Sequence, residues 1–147
     1  MGILNDAIRE IALEKQAAED EFRQALEDFD MITSRAADTV KQAIAALRIE
    51  LQAADWWSDE LSEDNRKPHY LSLSFRVRRY SGNHDLEINP DYFYSIKFDA
   101  LGGAVRTTGE IDPLLEPHEF RGVARQDFAL DLQMDIKLFL KAILYRN

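Results

Sequence analysis

The chain has 147 residues, 46% of them hydrophobic, and its 27 acidic and 18 basic side chains give a net charge of −9. This length and apolar content exclude a disordered tail and predict one folded domain. The lack of cysteine excludes disulfides and thiolate metal sites, and the acidic balance disfavours nucleic-acid binding except at a local basic patch.

We expect neither a targeting segment nor a membrane span. The first turn carries Asn5, Asp6, Arg9 and Glu10 where a signal peptide would have an apolar core. No run of about 18 apolar residues is present. These observations predict a cytoplasmic protein.

Residues 1–57 are predicted to form one long amphipathic helix. No glycine or proline occurs between Ile3 and Trp57, and good helix formers are frequent. An apolar or small residue returns at alternating steps of four and three, a spacing typical of a coiled-coil seam, which only Lys15 interrupts. The positions of this seam are Leu4, Ile8, Ile11, Ala18, Phe22, Ala25, Phe29 and Ile32.

A helix of this length must fold back or pack against another chain, because it would span about 75 Å. We therefore predict a homodimer or larger assembly held by Leu4, Ile8, Ile11, Phe22, Phe29 and Ile32. Asp, Thr and Ser lower helix propensity over residues 28–34, so a bend or helical hairpin near residues 30–35 is the alternative to a continuous helix.

A charged segment, residues 58–68, follows and is predicted to be a surface linker. The body of the protein would then comprise residues 69–147. From residue 71 to 77 apolar and polar residues alternate, as in a half-buried strand, and the same pattern returns over 92–98. Ser81–Asn83 and Gly102–Gly103 supply turns, and a third strand is predicted over 104–111. The three strands would form an antiparallel meander.

The segment from Phe128 to Leu144 fits two patterns. It alternates as a strand would, yet its composition and length favour a helix packed on the sheet. As a helix it carries a second apolar stripe, Leu130, Met134 and Leu138. Such a helix is normally sandwiched, here between the sheet and either the long helix or another subunit.

Candidate catalytic groups are few. Asp135-Ile136-Lys137, with Glu116 or Glu119, resembles the D/E-x-K element of metal-dependent nucleases, in which carboxylates hold Mg²⁺. Only ten residues follow Lys137, too few to complete such a core, so a solvated helix face is the better interpretation. The histidines show no ligand spacing and are expected at the surface: His69, His84 and His118. We expect no metal, no cofactor and no enzymatic activity.

A possible ligand face lies on the predicted sheet. It combines basic and aromatic side chains that could stack bases or hold a peptide: Arg76, Arg78, Phe93, Lys97 and Arg106. Two other interpretations compete with ligand binding. The polar side chains could form the outer face of an exposed sheet, or the acidic helix could cover them.

The sequence therefore predicts an α+β protein that acts as a non-enzymatic binding or adaptor protein, self-associates and binds a protein partner. In size, charge and element order the chain is similar to the small acidic secretion chaperones, which are α/β dimers. The alternative is an acidic inhibitor that mimics nucleic acid through the stretch Glu19–Glu21 and its acidic neighbours, and an enzyme without a recognisable motif comes third.

Overall fold

A computed structural model describes residues 2–66, 70–79, 90–99, 102–109 and 113–146, with the backbone alone for residues 25 and 26. The predicted turn at Ser81–Asn83, together with His69 and His84, lies outside the described residues. No helix in the described part of the chain is long and apolar enough to cross a membrane.

Helix α1 runs without interruption from Ile3 to Ala53 and comprises 51 residues. The predicted long helix is therefore confirmed, and a helical hairpin near residues 30–35 is excluded. Within the weak segment, the buried Thr33 hydroxyl donates a hydrogen bond of 2.5 Å to the Phe29 carbonyl. The helix thus satisfies this polar side chain internally.

The described residues form an antiparallel sheet of six strands rather than the predicted three. The strands are β1 (Trp57–Ser58), β2 (Ser62–Arg66), β3 (Tyr70–Arg78), β4 (Asp91–Phe98), β5 (Ala104–Thr107) and β6 (His118–Phe120). Their order is β1-β3-β4-β5-β6, and β2 also pairs with β3. Strands β3 to β5 correspond to the predicted meander.

The three-stranded prediction was wrong because the additional strands lack an apolar alternation. Strands β1 and β2 pair with successive parts of β3, and apart from Trp57 their residues lie in the segment 58–68 that was expected to be a linker. The sequence of β2, Ser-Glu-Asp-Asn-Arg, is entirely polar, as suits an edge strand that must not pair with other molecules. Strand β6 has only three residues and follows Pro117.

The core lies between the two helices and one face of the sheet. Alternate residues of β3 and β4 are buried there, including Phe75 and Tyr94. Helix α2 (Phe128–Arg146) packs on them: the Phe139 ring lies 6.3 Å from the Phe75 ring and 5.1 Å from the Tyr94 ring, centroid to centroid. The predicted C-terminal helix on the sheet is confirmed.

The second half of α1 lies beside α2 in the same layer. Ile32 shares a pocket with Phe128, and Leu47 shares another with Ile136 and Leu140, so the two helices run in the same direction. At the far side of α1, Lys41 forms an ion pair of 3.4 Å with Glu63 of β2. The first half of α1 extends beyond this body.

Candidate functional site

The predicted seam of α1 divides into an exposed part and a buried part. Leu4 is 72% exposed, Ile8 57%, Ile11 51% and Phe22 61%. Phe29, by contrast, is buried in the core of its own chain, and Ile32 is half-buried against it. The seam therefore cannot act as one intermolecular surface along its whole length.

The exposed and buried parts of the seam share one face of the helix. The buried residues continue the spacing of threes and fours: Phe29, Thr33, Ala36, Val40, Ile44, Leu47 and Leu51. Since residues three and four apart lie on one helix face, the face that packs on the sheet and α2 continues towards the N-terminus. There it is open to solvent.

We call residues 3–28 the N-terminal arm. Every side chain described from Ile3 to Glu27 is exposed, and the arm extends the helix by about 37 Å beyond the body. Its eight acidic and three basic side chains give a net charge of −5. Hydrogen bonds from Gln16 to Asp20 and from Gln24 to Asp28 support the helix over one-turn spacings.

A second exposed apolar surface lies on α2. Leu130 is 60% exposed, Met134 63% and Leu138 50%. Helix α1 covers only the opposite flank of α2, near Ile136 and Leu140. The stripe that was expected to be sandwiched is therefore open in the single chain.

Met134 and Leu138 line one wall of a groove between α2 and β6. The groove has a volume of about 540 Å³, and Phe120 of β6 lies on the other wall. Two cations, Arg121 and Arg125, also line it. Since Glu119 and Asp131 line it as well, the groove combines apolar walls with charges of both signs.

Four of the five residues of the predicted ligand face lie together on the outer face of the sheet. The register places Arg76 beside Phe93, and the side chain of Lys97 points to the same side. Helix α1 packs on the other face, so the proposed cover by the acidic helix was wrong.

The cations of the outer face are already engaged within the chain. Arg76 pairs with Asp59 at 2.9 Å, and the hydrogen bond and charge of that carboxylate raise the pKa of Arg76. Arg78 pairs with Asp91 at 2.7 Å and lies 4.8 Å from the Trp57 ring centroid. Aromatic and basic side chains that satisfy one another in this way offer less to a base or a peptide.

Arg106 does not share that face, and its inclusion in the ligand face was wrong. It stands opposite Ile96 in the register, an inward position, and only 2% of its surface is exposed. Its Nε and Nη2 donate to the two carboxylate oxygens of Asp135 at 2.8 Å each. The sequence did indicate that Arg106 faces inward, because Ala104 and Arg106 lie on the same side of β5. Its partner Asp135, however, lies 29 residues away.

Asp135 is likewise buried, so the solvated helix face predicted for it was wrong. Besides Arg106 it accepts a hydrogen bond of 2.6 Å from the Tyr94 hydroxyl. Arg106 Nη1 donates to the Glu116 carbonyl at 2.9 Å. Burial, then the charge and hydrogen bond of Asp135, raise the pKa of Tyr94 far above its usual range. This network is fully paired, which suits a structural role.

The D/E-x-K element does not assemble a site. In α2, Asp135 points into the core and Lys137 is exposed on the flank near α1. Glu116 and Glu119 are exposed. Among the described residues no three carboxylates or histidines lie close enough together to hold a metal ion. His118 is exposed and packs edge-on against the Phe120 ring.

No family model, curated protein or solved structure matches this chain. The similarity to the secretion chaperones therefore rests on size, charge and element order alone. The open face of the N-terminal arm and the groove beside α2 are the two surfaces on which a function can be argued.

Proposed function

We propose that this protein is a non-enzymatic binding protein that self-associates through the N-terminal arm. One observation supports this most directly: a single apolar helix face is buried from Phe29 to Leu51 and exposed from Leu4 to Phe22. Contiguous exposed apolar surface is typical of interaction sites. A protein partner of the resulting assembly belongs to the same proposal.

The energetics favour association of the arm. Most helix stability in proteins comes from packing an apolar face, and the arm buries none of its described side chains within its own chain. Burying an aliphatic or aromatic side chain contributes about 1.5–3 kcal/mol. The arm carries four large seam residues, Leu4, Ile8, Ile11 and Phe22. Their burial can exceed the cost of bringing two chains together.

The test is the mass of the protein in solution. Ile8→Glu combined with Ile11→Glu places two charges in the seam, and we expect it to raise the dissociation constant of the dimer more than about a hundredfold. Light scattering on a size-exclusion column measures the change. Both positions are more than half exposed in the single chain, so the fold should persist.

A matched control uses the opposite side of α1. Leu13 and Ile49 are 65% and 71% exposed and lie off the seam, and replacing both by Glu makes the same chemical change. This control should leave the mass unchanged. A wild-type chain that is monomeric at tens of micromolar, or a control variant that dissociates equally, would contradict the proposal.

A further inference from the structure

The groove beside α2 fits the N-terminal arm of a second copy. In its own body, α1 packs between the sheet and the flank of α2 that carries Ile136 and Leu140. The other flank, with Met134 and Leu138, faces the groove and the sheet edge at β6. One flank of α2 is therefore covered by a helix of its own chain, whereas the flank at the β6 edge is open.

We propose that two chains exchange arms, so that each arm fills the groove of the other chain. This inference rests on the proposed self-association and names the surface that the arm binds. A two-fold axis perpendicular to the helix layer, level with Asp28 where α1 leaves the body and in line with α2, generates the arrangement. This rotation carries the arm of the second copy to the free flank of α2. The seam of that arm then faces α2 and the sheet, as the buried half of the same helix does in its own body.

The register of this contact follows from the directions of the helices. Because α1 and α2 run in the same direction, the arm of the second copy runs antiparallel to α2. With the axis near Asp28, Ile11 lies level with Leu138, and Lys15 lies level with Met134 and within one turn of Asp131. The single polar residue of the seam thus meets a carboxylate that lines the groove.

Charge also favours this occupant. The arm carries a net charge of −5, whereas residues 121–146 carry five basic and three acidic side chains, a net charge of +2. One of those acids, Asp135, is neutralised by Arg106. The groove sets Arg121 and Arg125 beside Glu119 and Asp131 and is close to neutral, so it repels the acidic arm less than a second acidic arm would.

Cysteine cross-linking tests the arrangement cleanly, because the chain has no cysteine of its own. Chains with Ile8→Cys or Ile11→Cys are mixed with chains carrying Met134→Cys or Leu138→Cys and oxidised. A disulfide needs Cα atoms about 4.4–6.8 Å apart. Within one chain, Ile11 lies about 50 Å along α1 from the level of Leu138, so a disulfide between these positions must join two chains.

We expect a covalent dimer from at least one of these pairs and none from the control pair Ile49→Cys with Leu138→Cys. Independently, Met134→Glu with Leu138→Glu should weaken the dimer as much as Ile8→Glu with Ile11→Glu. Adding all four changes should cost little more than either pair, since both pairs disrupt one contact.

The outcomes separate the two proposals. The arm exchange is overturned if Ile11→Cys forms a disulfide only with Ile11→Cys of another chain. It is also overturned if the Met134→Glu and Leu138→Glu changes leave the dissociation constant of the dimer unaltered. Self-association stands in both cases. A wild-type chain that is monomeric by light scattering overturns both. A cross-link from the control pair also refutes the exchange, because it shows that the disulfides do not report this contact.

Discussion

The buried network of Arg106, Asp135 and Tyr94 gives the sharpest prediction of stability. Side chains of Arg106 and Asp135 are 2% and 3% exposed, and the carboxylate accepts three hydrogen bonds of 2.6–2.8 Å. Asp135→Ala removes the one counter-charge that the described residues place on Arg106 and leaves the guanidinium buried without that partner. Removing one partner of a buried pair costs about 3–5 kcal/mol.

That cost is large relative to the total stability of a domain, about 5–15 kcal/mol. For a chain of this size it corresponds to a fall in melting temperature on the order of 10–15 °C. Urea denaturation, followed by circular dichroism, measures the free energy of unfolding directly. Lys137→Ala, an exposed change two residues along the same helix, should stay within about 0.5 kcal/mol of the wild type.

Apolar replacement of the whole network supplies the contrast. Tyr94→Phe, Arg106→Met and Asp135→Leu together leave no unpaired charge, so we expect most of the loss to be recovered. If the free energy of unfolding of Asp135→Ala lies within about 1 kcal/mol of the wild-type value, the burial and pairing described for Asp135 do not hold in solution.

Three further predictions address other residues. The folded chain raises the pKa of Tyr94, so above pH 10 Tyr94 ionises in the unfolded state, which then binds fewer protons than the folded state. The free energy of unfolding therefore falls by up to about 1.4 kcal/mol per pH unit. In alkaline denaturation curves Tyr94→Phe should remove this slope, and Tyr145→Phe, at an exposed site, should not. Phe29→Ala should cost about 3–5 kcal/mol in urea denaturation, because Phe29 is core; a variant that only dissociates the dimer would place Phe29 in the seam instead. Arg76→Glu with Arg78→Glu sets like charges beside Asp59 and Asp91, so it should lower the melting temperature, but less than Asp135→Ala; an unchanged melting temperature would show that these exposed pairs contribute nothing.

Periodic elements of the fold were predictable from sequence because their signal is local. The long helix has an apolar face along its 51 residues, and buried residues alternate with less buried ones along the whole of β3. Helix α2 was settled by composition and length, although strict alternation also fitted a strand. In each case one element reports its own burial pattern.

The rest required contacts between distant segments. Strand β2 is polar because it is an edge, so only its pairing with β3 reveals it. The position of Arg106 depends on Asp135, which is remote in the chain. The apolar spacing of α1 shows no break at Phe29, and only the position of the body shows that the seam divides there.

The buried ion pair also has a consequence for the association surface, because α2 carries two apolar stripes. Either stripe could pack on the sheet, but only the stripe beside Asp135 brings the carboxylate to Arg106. Turning Met134 and Leu138 inward would leave that arginine buried without its partner, at the cost of about 3–5 kcal/mol given above. The pair therefore fixes which stripe faces the groove. In the apolar triple variant this constraint is gone, so we expect near-native stability with broadened methyl signals and a weaker cross-link between Ile11→Cys and Leu138→Cys. A triple variant that cross-links as efficiently as the parent would show that packing alone orients α2.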